Sequence, residues 1–300
     1  MNTHYSEIVD DSFTGSKENP ISLNDILFKA SSEKLKSAHS YIDKNLLLVI
    51  DMQQDFMDNG YLGVPGAIED VKRLNHFIYN NVDNITNIAV SLDTHIPQQI
   101  FHPSWWIDEN GNNPAPFTLI TLKDLDEGKW RAVVYPLESR EYVEHLETDG
   151  KKTLCIWPYH CIQGTSGNAL ENQFSNMCYF HSVAKKAVVK RLVKGQEPLS
   201  EMYGIIRPEY DIKGYVNMDF INALEKYSKI IIAGEAKSHC VLESLRQILN
   251  IVNSNVHSKI YILEDCMSSI PGFEDSTNEA FERFKTLYHV NIVKSTDNIF

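Results

Sequence analysis

The 300-residue chain is short of positive charge: 28 Lys and Arg stand against 40 Asp and Glu, a formal net charge of −12. A face that grips nucleic acid or an anionic membrane needs concentrated Lys and Arg, so neither partner is expected, whereas a small molecule is. Long apolar runs are also missing. The longest, such as 46–50, fall far below bilayer-crossing length, and no N-terminal stretch joins a basic region to an apolar one, so a cytoplasmic protein is expected. Cysteine is scarce and irregular. Cys155, Cys161, Cys178, Cys240 and Cys266 make an odd number with no C-x-x-C pair, which suits reduced thiols and argues against a disulfide framework or a structural zinc knuckle. There is no internal repeat and no low-complexity tract.

What is present is a hydrophobic content of 43%, enough for one large α/β domain or two small ones. Residues 1–44 are polar apart from an amphipathic piece at 23–35, and read as an appended arm. From Asn45 onward, short β-rich runs at 46–50, 85–92, 153–156, 187–193, 230–233, 260–263 and 290–293 alternate with stretches of helical spacing at 68–82, 137–146, 220–227, 241–252 and 278–287. Such alternation predicts right-handed crossovers and a mostly parallel sheet with helices on both faces, in one domain spanning 45–300. The turn formers at 110–116 break the rhythm and place an inserted loop or hairpin at about 105–135.

Sheets of this kind bind ligands beyond the carboxyl ends of their strands. Asp51 follows the first run, Asp93 and His95 the second, His160 the third, Lys194 the fourth and Cys240 the fifth. Cys240 stands where a strand passes through a small-residue turn into a helix, and N–H groups at a helix N-terminus lower a thiol pKa and hold an oxyanion. Taken alone, a cysteine there also reads as a buried small hydrophobe. Asp51, at a buried strand end, is placed for a general base, or else for capping a turn. Lys194 precedes Gly195, which lets the backbone bend away while the ammonium points inward; Lys190 competes but lacks the glycine. Asp93 and His95 share one face of an extended segment and make, with His160, a two-His, one-carboxylate set suited to Zn²⁺, Fe²⁺ or Mn²⁺, with His102 as a further ligand. A loop-stabilising Asp–His hydrogen bond is the plainer alternative. Trp105, Trp106 and Trp157 would wall a flat aromatic substrate or simply fill the core.

Taken together, these segments resemble the nicotinamidase and isochorismatase-like cysteine hydrolase superfamily, from about residue 45 to 293. The matching motifs are Asp51-Met52-Gln53-Gln54-Asp55-Phe56, Asp93-Thr94-His95, Trp157-Pro158-Tyr159-His160-Cys161-Ile162-Gln163-Gly164-Thr165, Lys194-Gly195 with Tyr203-Gly204-Ile205-Ile206, and the G-x-A-x-x-x-C-V run from Gly234 to Val241. The resemblance implies a mostly parallel six-stranded sheet in a Rossmann-like α/β/α sandwich and a catalytic triad of Asp51, Lys194 and Cys240. It also implies a cis peptide between Glu235 and Ala236, with the N–H groups of Ala236 and Cys240 as oxyanion hole. Phe56 and Trp157 then flank the substrate, and Asp93, His95 and His160, with His102 beside them, hold a divalent metal, Zn²⁺ first. The expected reaction is hydrolysis of a small amide, nicotinamide to nicotinate and ammonia. Another amide or ureido (carbamoyl) substrate, an isochorismatase-type reaction on the same triad and a non-catalytic ligand-binding relative remain open, as does a homo-oligomer. The chain departs from the pattern at Thr94, where an aromatic is usual, at Gly204, where serine is commoner, and in the insertion after His102.

Overall fold

A computed structural model describes residues 1–148, 152–211 and 213–300. Its centre is an all-parallel sheet of six strands: β1 (Asn45–Ile50), β2 (Asn87–Asp93), β3 (Lys190–Lys194), β4 (Lys229–Gly234), β5 (Ile260–Leu263) and β6 (Asn291–Val293), in the order β6-β5-β4-β1-β2-β3. β1 is central because it is apolar on both faces. Leu47 and Val49 enter one core cluster while Leu46, Leu48 and Ile50 enter the other, as expected of a strand covered by helices above and below. Helices α2 (Ala67–Asn80) and α4 (Asn172–Ala184) cover the first face, and α5 (Met218–Leu224), α6 (Leu242–Ile251) and α7 (Glu274–Tyr288) the second. Among the described residues no helix is long and apolar enough to cross a membrane.

One predicted strand lies outside this sheet. Of the run 153–156, Leu154–Cys155 pairs antiparallel with Leu119–Ile120, and Trp106–Ile107 pairs in the same manner with Arg131–Ala132. These short pairs and helix α3 (Pro136–Thr148) enclose a third apolar cluster that includes Trp105, Trp106, Tyr142, Leu146 and Trp157. A two-residue strand has too few ladder bonds to join a large sheet, and the turn-rich chain before it folds back locally instead.

Residues 1–44 lie against the first face. Helix α1 (Leu23–Ser32) packs on α4, and Ile8, Val9, Ile26 and Ala30 are buried in the same cluster as β1. Polar contacts fix the register: Asp10 N–H donates to Gln173 Oε1 at 2.9 Å, Gly15 N–H to Glu171 Oε1 at 2.9 Å, and Gln54 Nε2 to Gly15 O at 2.6 Å. Ile26→Ala is therefore expected to cost about 2–5 kcal/mol, the range for truncating a buried aliphatic side chain, and to lower the denaturant midpoint at unchanged m-value. A midpoint equal to that of the parent chain would show that the arm contributes no core.

Candidate active site

The carboxyl ends of β1, β2, β3 and β4 converge on one cleft. Asp51 follows β1 with φ 42°, an uncommon value for a residue with a Cβ. This conformation is held by Ser91 of β2: the Asp51 N–H donates to Ser91 Oγ at 2.9 Å and the Ser91 hydroxyl donates to Asp51 Oδ1 at 2.6 Å. Lys194, the last residue of β3, places its ammonium 2.9 Å from Asp51 Oδ2 and 3.0 Å from Asp93 Oδ1, and donates to Met202 O at 3.0 Å. Lys190 stands apart, its ammonium over the Phe220 ring at 5.1 Å. Gly195 turns with φ +76°, and a Cβ there would meet Asp93 Oδ1 at 2.5 Å, so the position admits no side chain.

Cys240 arrives by an unusual turn. After β4 the Glu235–Ala236 peptide is cis, and residues Lys237–Val241 form a π-turn in which the Val241 N–H reaches back to Ala236 O at 3.2 Å before α6 begins. The Cys240 thiol lies 3.7 Å from Lys194 Nζ, and its Sγ and one carboxylate oxygen each of Asp51 and Asp93 lie within 4.8 Å of one another. Ala236, Cys240, Phe56, Trp157 and His160 line the same pocket, with Phe56 edge-on to His160 at 5.6 Å.

The electrostatics differ from the expectation of a lowered thiol pKa. Burial pushes the Cys240 thiol well above its ordinary value; Lys194 opposes this, but Asp51 and Asp93 add to it. Burial also raises Asp51, against the pull of Lys194 and Ser91. For Lys194 burial acts downward, yet Asp51, Asp93 and Cys240 overcome it and keep the ammonium charged. The resting arrangement is therefore a thiol beside a buried Lys194–Asp51 ion pair. Burial, with the two carboxylates adding to it, outweighs the one ammonium near the sulfur.

Asp93, His95 and His160 bring their ligand atoms within 4.8 Å of one another. His95 Nδ1 faces Gly195 O at 3.0 Å and His160 Nδ1 faces Pro158 O at 2.8 Å. Carbonyl oxygens only accept, so each Nδ1 carries a proton, and Nε2 is the nitrogen turned toward Asp93, at 2.9 Å for His95 and 3.7 Å for His160. Burial lowers His95, but the Asp93 carboxylate outweighs it and the net shift is upward. A divalent cation bound here would stand between the imidazole and the carboxylate in place of a proton. His102 is not brought into this set. Its ring is 5.9 Å from that of His95 and 6.5 Å from that of His160, while its Nδ1 faces Pro97 O at 3.1 Å and its buried Nε2 has no hydrogen-bond partner. Burial and the two neighbouring imidazoles push His102 down to about 3, so its buried Nε2 keeps a lone pair.

Four contributors escaped the sequence reading. Ser91 fixes Asp51, and its signal was a lone hydroxyl within an apolar strand. Gln53 accepts the Asp93 N–H at 2.7 Å and donates to Asp93 O at 2.8 Å, holding the carboxylate segment through both backbone groups. Glu201 and His239 line the pocket beside Tyr203; His239 lies within the Gly234–Val241 motif and Glu201 two residues before Tyr203, and those positions were the available signal. The departure at Gly204 has a steric reason. A Cβ there would sit 2.2 Å from Gln247 Oε1, which accepts the N–H groups of Ile206 at 3.1 Å and Arg207 at 3.2 Å.

No family model matches the chain. It is 23% identical over 252 residues to the nicotinamidase of Saccharomyces cerevisiae, covering 82% of this chain and 98% of that one. Among solved structures, yeast nicotinamidase bound to the inhibitor nicotinaldehyde superposes with a TM-score of 0.59 at 20% identity, covering 83% of this chain and 99% of the other. The nicotinamidase/pyrazinamidase of Acinetobacter baumanii gives 0.58 at 18% identity, with 85% and 98% covered. These likenesses establish the fold.

Proposed function

We propose that this chain is a cysteine hydrolase of the isochorismatase-like superfamily that acts on small carboxamides, with nicotinamide cleaved to nicotinate and ammonia as its first substrate. The observation that carries the reading is Lys194, whose ammonium lies 2.9 Å from Asp51 and 3.7 Å from the Cys240 sulfur. A base, its counter-ion and a nucleophile are thus assembled from three distant strand ends.

In this reading Asp51 takes the Cys240 proton as sulfur attacks the amide carbon, so the thiolate exists only during attack. The N–H groups of Ala236 and Cys240 receive the oxyanion. Asp51, now a carboxylic acid, returns the proton to the departing nitrogen, and ammonia leaves a thioester on Cys240. Water, deprotonated by Asp51, attacks that thioester; the C–S bond breaks, Asp51 returns the proton to sulfur, and the carboxylic acid and the free thiol are released. Lys194 keeps Asp51 ionised between steps, and Phe56 and Trp157 flank the substrate ring.

The donor set fits a divalent metal on Asp93, His95 and His160, with the lone pair of His102 Nε2 beside them; imidazole and carboxylate donors suit Zn²⁺ first and Fe²⁺ or Mn²⁺ next. Such an ion supplies Lewis acidity and an anchor for a ring nitrogen.

The test is ammonia release from nicotinamide by Zn²⁺-loaded protein, followed in a coupled assay. Turnover is expected, with a loss of roughly 10-fold or more after chelation, reversed by Zn²⁺. Absence of ammonia release from nicotinamide in the loaded protein would refute the assignment.

A further inference from the structure

The pocket at Cys240 lies beside a second, larger space. The inner pocket holds about 20 Å³ of free volume, room for about one water molecule. The adjoining chamber holds about 370 Å³, within the range of small-molecule sites. Trp157, Glu201, Tyr203 and His239 line both spaces. Trp157 Nε1 donates to the Tyr203 hydroxyl at 3.1 Å, and the His239 ring stands edge-on to Trp157 at 5.8 Å and to Tyr203 at 5.9 Å. Three rings thus stand at the boundary shared by the two spaces.

The chamber owes one wall to the insertion after His102 and the helix that follows it, through Leu119, Tyr142 and Leu146, and the opposite wall to Leu242 and Phe273. Charges at its rim satisfy one another. Lys152 pairs with Glu209 and, at 3.1 Å, with Glu243, which also accepts from Arg246 at 2.7 Å. Among the described residues the cations at this rim are paired, and apart from Glu201 the walls suit an uncharged apolar group.

The two ends of an amide are not equivalent here. The departing nitrogen must lie where Asp51 can protonate it, and Asp51 and Lys194 are 0% and 3% exposed, deep at the strand ends. Little more than ammonia fits on that side. The acyl side of a bound amide would then lie toward the three rings.

We infer that the chamber is an acyl-group subsite, and that the preferred substrates are primary carboxamides whose acyl part carries an aryl or alkyl extension beyond a single ring. The inference rests on the amidase reading and narrows its substrate class. The reaction is the same hydrolysis: the carboxamide C–N bond breaks, water supplies the new C–O bond, and the extended carboxylate and ammonia are released.

The experiment compares kcat/KM for nicotinamide with that for a set of phenyl-substituted pyridine-3-carboxamides, in the parent chain and in Leu119→Trp. Leu119 is 55% exposed, so the larger ring is accommodated without disturbing the core while it fills the chamber. At least one phenyl-substituted amide is expected to exceed nicotinamide by 10-fold or more, and Leu119→Trp is expected to reduce that ratio by 10-fold or more. If nicotinamide is hydrolysed but every extended amide is slower, or if the ratio is the same in both proteins, the acyl subsite is overturned and the amidase reading stands. Ammonia release from none of these amides overturns both.

Discussion

Cys240→Ala is expected to reduce ammonia release from nicotinamide by ~10⁴-fold or more, because the covalent route is lost while binding and the oxyanion-hole backbone remain. The other cysteines are poor replacements. Neither Cys161, which is fully buried, nor Cys155 lines the inner pocket where Cys240 meets Ala236 and His160. The companion Asp51→Asn should lose ~10²- to 10⁴-fold, the usual range for a positioned base. It should also differ in kind. Since burial and the neighbouring carboxylates keep Cys240 as a thiol, removing the acceptor leaves it nearly inert to a pyridine-3-aldehyde at neutral pH, whereas the parent chain should form a thiohemiacetal detectable by mass spectrometry. An Asp51→Asn protein that forms the adduct at the parental rate would mean that the thiolate pre-exists and that Asp51 is not its base.

The site was more legible than its chemistry. Each motif residue sits at or just beyond a strand end, and the parallel topology alone carries Asp51, Asp93, Lys194 and Cys240 to one edge. His160 was placed correctly for the wrong reason, since the run before it pairs with Leu119–Ile120 and the histidine arrives on a loop. Helix α4 left no clear sequence signal. Its buried set includes Gln173, Asn176 and His181 as well as Phe174, Met177 and Phe180, because the sheet covers one face and the arm another, and a helix buried around most of its girth has no polar stripe to give the period away. The direction of the Cys240 shift was misread because a helix terminus and a lysine are visible in sequence. The desolvation and the two converging carboxylates that outweigh them appear only in three dimensions.

Lys194→Met is expected to damage stability and activity together. The ammonium is ion-paired with Asp51 at 2.9 Å and Asp93 at 3.0 Å, and donates to Met202 O at 3.0 Å and Cys240 Sγ at 3.7 Å. Truncating one partner of a buried ion pair costs about 3–5 kcal/mol, since the carboxylates are left uncompensated, which corresponds to a fall in Tm of roughly 5–15 °C. The carboxylates would recover part of that cost by taking up a proton, with a kinetic consequence of definite sign. Burial already raises the Asp51 pKa and Lys194 holds it down, so without the ammonium it rises further, and Asp51 is ionised only at higher pH. The acid limb of kcat/KM should therefore move to higher pH, with a loss of ~10²- to 10⁴-fold at neutral pH. A metal ion on Asp93 neutralises one of the two carboxylates, so the loss of stability should be smaller in Zn²⁺-loaded protein than after chelation. Lys194→Arg separates charge from shape. Its planar guanidinium keeps the charge but cannot send three donors in the diverging directions the ammonium uses, so it should recover more of the stability than of the rate. A Lys194→Met protein with an unshifted acid limb would place the ionisation of Asp51 under some other control and remove Lys194 from the proposed triad.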